Sequence, residues 1–238
     1  MRKRKPEELK ETGVDWIGEI PEHWVFERLK STLKFCQNGI WGNSPEGDET
    51  DIYCIRVADF DRFLLEIPDQ GFTIRSVPKD KREGKVLKKG DLILEKSGGG
   101  DKQPVGAVML YNLDIDAFCS NFTARMPVKK NYNSSFLRYV HYHLYHGRVN
   151  TRSIKQTTGI QNLDSSQYLN EKVGLPPLPE QRAIAAFLDR KTQAIDQLIQ
   201  KKEQLIERIK EKRQALITRA VTKGLDPADV SMKDSGIK

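Results

Sequence analysis

The run HYHLYH sets three imidazoles at positions 141, 143 and 146. Offsets of two and five do not bring all three onto one face of a helix, and His23 is the only other histidine, so no metal site is expected. Gly98, Gly99 and Gly100, followed by Asp101, Lys102 and Gln103, have the look of a phosphate cradle. No Gly-Lys-Ser or Gly-Lys-Thr closes that loop, and it joins two expected strands instead of opening a helix, which argues against nucleotide binding. Cys36, Cys54 and Cys119 are scattered and in no metal-ligand spacing, as suits reduced thiols in a core. Asp59 and Asp61 sit at an expected strand end and turn, where carboxylates are common. There is no Gly-x-Ser-x-Gly elbow and no kinase motif set. The chemistry on offer is binding, not turnover.

The side chains suited to binding lie in three polar loops. Residues 96–103 carry Lys96, Ser97, Lys102 and Gln103, with donors for phosphates and bidentate groups for base edges. The same residues equally suit an exposed hairpin without a ligand. Arg152, Ser153, Lys155, Gln156, Thr157, Thr158, Gln161 and Asn162 form a second such stretch, with an ordinary surface loop as the alternative. The third, residues 37–50, holds Asn38, Asn43 and Trp41; the indole, between Gly39 and Gly42, suits either stacking on a base or sugar or anchoring the loop.

These loops need a scaffold. Val25–Leu29, Ile52–Val57, Asp91–Glu95, Val105–Tyr111 and Phe118–Met126 are short runs rich in branched and aromatic residues and predict strands. A lysine-rich segment, PKDKREGKVLKKGD, precedes and meets the third of them. Phe136, Leu137, Val140 and Leu144 fall on one face of a helix over Ser134–His146. A polar arm, with Trp16, Ile17, Ile20 and Trp24 crowded at its end, should dock against this mixed α+β domain. The expected divisions are an arm (1–20), a globular domain (21–177), a long helix (178–224) and a tail (225–238).

From Leu178 to Gly224 no Gly or Pro interrupts the chain after Pro179, which stands where a first helical residue is favoured. At about 1.5 Å per residue, roughly 44 residues span roughly 66 Å, longer than a domain of this size is wide, so the helix is expected to project. Ile184, Leu188, Ile195, Leu198, Ile199, Leu205, Ile206, Ile209 and Leu216 recur at three-four spacing, a stripe that calls for another helix. Lys202 and Lys212 or Arg213 fall on or beside the seam, which predicts a short or irregular coiled coil. Packing on the chain's own domain is the alternative.

The 238 residues carry a formal net charge of +7, which favours an acidic partner, nucleic acid being the commonest. Residues 180–223 hold eleven Lys or Arg against six Asp or Glu, so much of this excess is on the helix. No apolar run approaches a membrane span and the N-terminus has no signal-peptide core, so a cytoplasmic location is expected.

Four stretches, KETGVDWIGEIPEHW, EKSGGGDKQPVG, TTGIQNLDSSQYLNEKVGLPPLPEQRAIAAFLD and ITRAVTKGLDP, resemble the specificity subunit of type I restriction-modification systems. The resemblance covers nearly the whole chain, and its junction motif, Leu175 to Asp189, is fairly specific. The resemblance implies a non-catalytic subunit whose target-recognition domains each read half of a split double-stranded DNA sequence. It implies long helices that pair antiparallel into a coiled coil, space those domains and bind methyltransferase subunits. Those partners use S-adenosylmethionine to methylate adenine at N6, and ATP- and Mg2+-dependent restriction subunits cleave unmodified DNA; this chain itself is expected to hold no cofactor.

Members usually have two recognition domains and two helical regions, whereas one of each is present here. Lys233 to Ile237 repeats the pattern of Lys10 to Val14, as though a second arm begins, which favours a truncated form of a longer subunit over a natural half-subunit that dimerises. Either way the stripe predicts self-association, as a homodimer through the helix. Lys102, Gln103, Arg152, Lys155 and Gln156 are the foremost candidates for DNA contact. Two rivals are a coiled-coil adaptor whose domain binds protein, and a methyltransferase or nuclease with a fused helix, for which the adenine motif and the carboxylate cluster are missing.

Overall fold

The computed structural model describes residues 8–156 and 159–225 together with 234 and 236. The elements in order are β1 (Leu9–Glu11), β2 (Glu19–Pro21), β3 (Val25–Arg28), β4 (Gln37–Asn38), β5 (Asp51–Ile55), β6 (Thr73–Ser76), β7 (Asp91–Glu95), β8 (Ser97–Gly98), β9 (Val108–Tyr111), β10 (Ala117–Cys119), β11 (Thr123–Met126), α1 (Ser134–His146), β12 (Ile154–Gln156), β13 (Gln161–Leu163), α2 (Ser165–Tyr168), β14 (Lys172–Leu175) and α3 (Leu178–Lys223). The fold is α+β with a long C-terminal helix, as expected.

A four-stranded antiparallel sheet, ordered β4-β11-β7-β9, forms the centre. All five residues of β7 are buried, which explains a run of apolar residues without a polar face. Alternation along a strand sorts these side chains between two cores. Leu92 and Leu94, with Val108 and Leu110, join Phe136, Leu137 and Leu144 of α1. Ile93, Met109 and Tyr111 meet Ile55, Ala117 and Cys119, the last three from a sheet ordered β10-β5-β6 in which β10 runs parallel to β5.

The strand expected over Phe118–Met126 is two strands in different sheets, β10 and β11, turned at Ser120 where Thr123 N–H bonds back to its carbonyl. No Gly or Pro marks this turn. Likewise the expected loop at 152–162 is largely structured: β12 and β13 pair antiparallel, and β13 pairs with β8.

The arm docks on the domain. Ile20 is buried and Trp16 packs against the larger core, its ring 5.7 Å from that of His143. Gly174 of β14 lies so close that an added Cβ would stand 3.0 Å from Ile20 and 3.1 Å from Trp24, which accounts for the glycine before the junction. The histidine run disperses as its spacing predicts: His141 is buried on Tyr168, and His146 stands beside Tyr142. Among the described residues no His/Cys/Asp/Glu cluster suits a metal ion, and no helix is long and apolar enough to cross a membrane. The cysteines are free; burial pushes the Cys54 thiol up to about 12 and Cys119 to about 11.

The chain divides into compact units at Ala185/Ala186. The first turns of α3 belong to the globular unit: Gln181 and Ala185 are buried and Ile184 packs on its core. Ile184 is therefore spent on the chain's own domain, unlike Ile195 and the expected seam residues after it. From Ala186 onward α3 belongs to the second unit. Ile195, Leu198, Ile199, Leu205, Ile206, Ile209 and Leu216 are all exposed on it, and Leu188 is half-buried. The repeated pattern at 233–237 falls mainly outside the described residues.

Candidate nucleic-acid interface

Two of the three polar loops meet through backbone pairing. In β8 and β13, Ser97 stands opposite Asn162 and Gly98 opposite Gln161. Ser97 Oγ donates to Asn162 Oδ1 at 2.6 Å, and Lys96 Nζ donates to Asn38 Oδ1 at 2.6 Å. Asn38, Lys96, Ser97 and Asn162 thus form one hydrogen-bonded polar ridge fed by β4, β8 and β13.

The three glycines shape the turn beyond it. Gly98 and Gly99 have φ of 114° and 61°, and a Cβ on Gly99 would come within 2.8 Å of the Val105 nitrogen. Gly100 and Gln103 exchange both backbone hydrogen bonds, closing a tight turn with Asp101 and Lys102 at its tip. Lys102 is exposed. Gln103 is held instead: with its amide oxygen turned to the guanidinium, it accepts from Arg62 Nε at 2.5 Å. Arg62 also donates to Glu95 Oε1 at 2.8 Å and lies 5.9 Å from the Tyr145 ring centre. Burial pushes the Glu95 carboxyl above its ordinary value and Arg62 pulls it partly back.

The remaining candidates divide by exposure. Gln156 and Arg152 are exposed on β12 and the 3-10 turn before it. Lys155 donates to Asp164 at 2.8 Å, and that bond, with the backbone N–H groups of α2 that Asp164 caps, holds the Asp164 carboxyl below its usual range. Gln161 departs from the surface reading: it is buried, and its Oε1 accepts from Val105 N–H at 3.2 Å, fixing the hairpin instead of facing solvent. Thr157 and Thr158 lie outside the described residues. Trp41 is exposed with the Arg75 guanidinium 4.5 Å from its ring centre, and Arg75 also donates to the Trp41 carbonyl. Asn43 pairs through its backbone with Ser76, so this third loop reaches the ridge only at Asn38, and its Trp41–Asn43 part is tied to β6.

Sequence reasoning misses Arg62 and Arg75, which position Gln103 and Trp41. Neither carries a local signal, because each is identified only by what it touches across the fold. The lysine-rich segment 78–91 is visible as composition, yet its site is not.

A mixed domain bearing a polar hairpin ridge, continued by a helix with an exposed apolar stripe, has the side chains of a binding module. Residues 21–208 match the family described as the type I restriction modification DNA specificity domain, and the chain belongs to that family. A relative in Methanocaldococcus jannaschii, described as a type I restriction enzyme MjaX specificity subunit, is 24% identical over 186 residues, covering 77% of this chain and 42% of its own length. A chain solved for complex assembly and conformational transition of the type I R-M system is similar at a TM-score of 0.63 and 23% identity, covering 92% of this chain and 50% of that one. The HsdS subunit from Thermoanaerobacter tengcongensis is similar at a TM-score of 0.53 and 23% identity, covering 92% and 49%. The chain therefore spans about half the length of these relatives.

Proposed function

We propose that this chain is a non-catalytic sequence-recognition subunit that binds one half of a bipartite DNA target. Its long helix pairs antiparallel with another such helix and recruits methyltransferase subunits. Those partners bring S-adenosylmethionine for N6-adenine methylation, and ATP- and Mg2+-dependent restriction subunits cleave unmodified DNA. The observation that carries this reading is the pairing of β8 with β13, which joins loops distant in sequence into one ridge of amide, hydroxyl and ammonium groups. Such groups match base edges in a major groove, while neighbouring cations position phosphates.

The test is to combine the chain with its cognate methyltransferase subunit and map methylated adenines on DNA. N6-methyladenine in a palindromic split motif supports two copies paired through α3, each reading the same half-site. A stable complex that methylates nothing overturns the self-paired arrangement. No complex with the methyltransferase subunit, and no salt-dependent affinity for DNA, favours the adaptor reading instead.

A further inference from the structure

The cations of the globular unit are not concentrated on the hairpin ridge. Lys96 and Lys155 there are already held by Asn38 and Asp164. An open depression at the other end of β7 is lined instead by Lys34, Lys79, Arg82, Lys88, Lys89 and Arg125. At about 3.4 Å per residue, the length of β7 separates this depression from the Glu95 end by roughly 14 Å.

The depression is built from three distant segments. Arg125 forms its floor, nearly buried, donating to Asp91 at 2.6 Å and to the Gly84 carbonyl, with its guanidinium 5.5 Å from the Phe35 ring centre. The Lys34 N–H bonds to the Pro127 carbonyl, and Arg82 donates to the carbonyls of Val77 and Glu49 at 2.8 and 2.9 Å. Lys34 and Lys88 are exposed and form no ion pair among the described residues. Lys79 pairs with Glu49 and Lys89 with Asp114, but these carboxylates are largely exposed, and such contacts hold weakly in water and yield readily to a phosphate. Glu83 is the further acid on the rim.

The depression is also continuous with the ridge. Gln37 pairs with Arg125 in the sheet and its side chain lies against Gly84, and the next residue, Asn38, holds Lys96. Exposed cations on one side of β4 thus give way to the amides and hydroxyl of the ridge on the other, the order in which a duplex presents its backbone and then its base edges.

We infer that the depression bounded by Lys34, Lys79, Arg82, Lys88 and Lys89 binds the phosphodiester backbone of duplex DNA beside the half-site. This rests on the DNA-recognition reading and adds to it where the backbone is held. The cationic rim alone also suits an acidic polypeptide; continuity with the amide ridge selects DNA.

The experiment measures binding of the full chain to fluorescent duplexes of several sequences across a salt series. Lys34→Ala/Lys88→Ala, at two exposed positions, is compared with Lys201→Ala/Lys202→Ala on α3, which removes equal charge. The depression variant should weaken binding about tenfold or more on every sequence and lower the slope of log affinity against log salt by roughly 0.9 for each phosphate no longer neutralised, while the helix variant does neither. Equal losses in the two variants would reduce the effect to net charge and overturn the proposal. Unchanged binding by the depression variant, with loss in Lys102→Ala/Gln156→Ala, overturns it while leaving DNA recognition standing. Poly-L-glutamate competing as well as unlabelled duplex at equal charge would assign the depression to an acidic protein. Failure of the unaltered chain to bind any duplex would overturn both readings.

Discussion

Two buried titratable side chains make opposite demands on pH. Glu95 is almost fully buried and its carboxyl sits above the ordinary value, mainly through desolvation. A raised folded value contributes stability below about 4.5 that is lost as pH rises through the folded value, and the Arg62 guanidinium offsets that loss. Arg62→Ala should therefore unfold more easily than the unaltered chain, by about 1–3 kcal/mol near neutrality, with the deficit growing as pH rises from about 4.5. Glu95→Gln in the same background should flatten that trend, read as urea midpoints across pH. His141 has the other sign. Burial lowers it to about 3, and its Nδ1 lies 2.7 Å from the Tyr168 hydroxyl. A depressed folded value means stability present above about 6.5 and lost as pH falls, at up to about 1.4 kcal/mol per pH unit. His141→Phe orphans the Tyr168 hydroxyl at every pH but removes the titration, so its deficit should narrow by about 2 kcal/mol between about pH 6.5 and about pH 5. A deficit that stays constant would show that His141 is not held neutral in the fold.

At the scale of elements, one glutamine ties α3 to the start of α1 and to the segment that follows β14. Gln181, in the first turn of α3, accepts from the Asn133 N–H at 2.8 Å and donates to the Pro176 carbonyl at 2.8 Å. Asn133 in turn caps α1 by accepting from the Phe136 N–H. Gln181→Leu leaves the buried Pro176 carbonyl and the half-buried Asn133 N–H unpaired and should cost roughly 1–3 kcal/mol, with faster hydrogen exchange at the Asn133 amide. Retained protection at Asn133 would contradict this anchoring. The junction sequence PLPEQR announces a helix start by its proline and acid, so α3 is legible in the sequence. α1 is legible to the residue, because its apolar face repeats cleanly. What Gln181 holds is not, since its partners stand 48 and 5 positions away. The same applies to β12 and β13, whose polar strands of three residues carry no alternation of apolar side chains. The basic depression is half legible: the lysines of 78–91 are plain, whereas the approach of Lys34 and Arg125 is a product of the fold. Gln161 looks like a surface amide in the sequence because composition does not tell which side of a hairpin faces the core.

At the scale of the whole molecule, the exposed apolar stripe on α3 predicts self-association. Ile195, Leu198, Ile199, Leu205, Ile206, Ile209, Leu216 and Ile217 are each between 41% and 58% exposed. Covering a half-exposed Leu or Ile stabilises by about 1 kcal/mol, so pairing eight from each of two chains offers roughly 16 kcal/mol before costs. Lost rigid-body freedom and ordered side chains take about 4–15 kcal/mol of that, which leaves association that is dilution-sensitive. The surplus is smaller than in an ideal zipper because Lys202 interrupts the seam. Leu205→Lys/Ile209→Lys removes four covered side chains from a two-fold pair, about 4 kcal/mol, and should weaken self-association by roughly a thousandfold. Light scattering should then read the 27.3 kDa mass of one chain where the unaltered protein reads twice that. Because both positions belong to α3 beyond Ala185, the urea midpoint of the globular unit should not move. An unaltered chain that stays single at tens of micromolar would show instead that the stripe is reserved for a different helix.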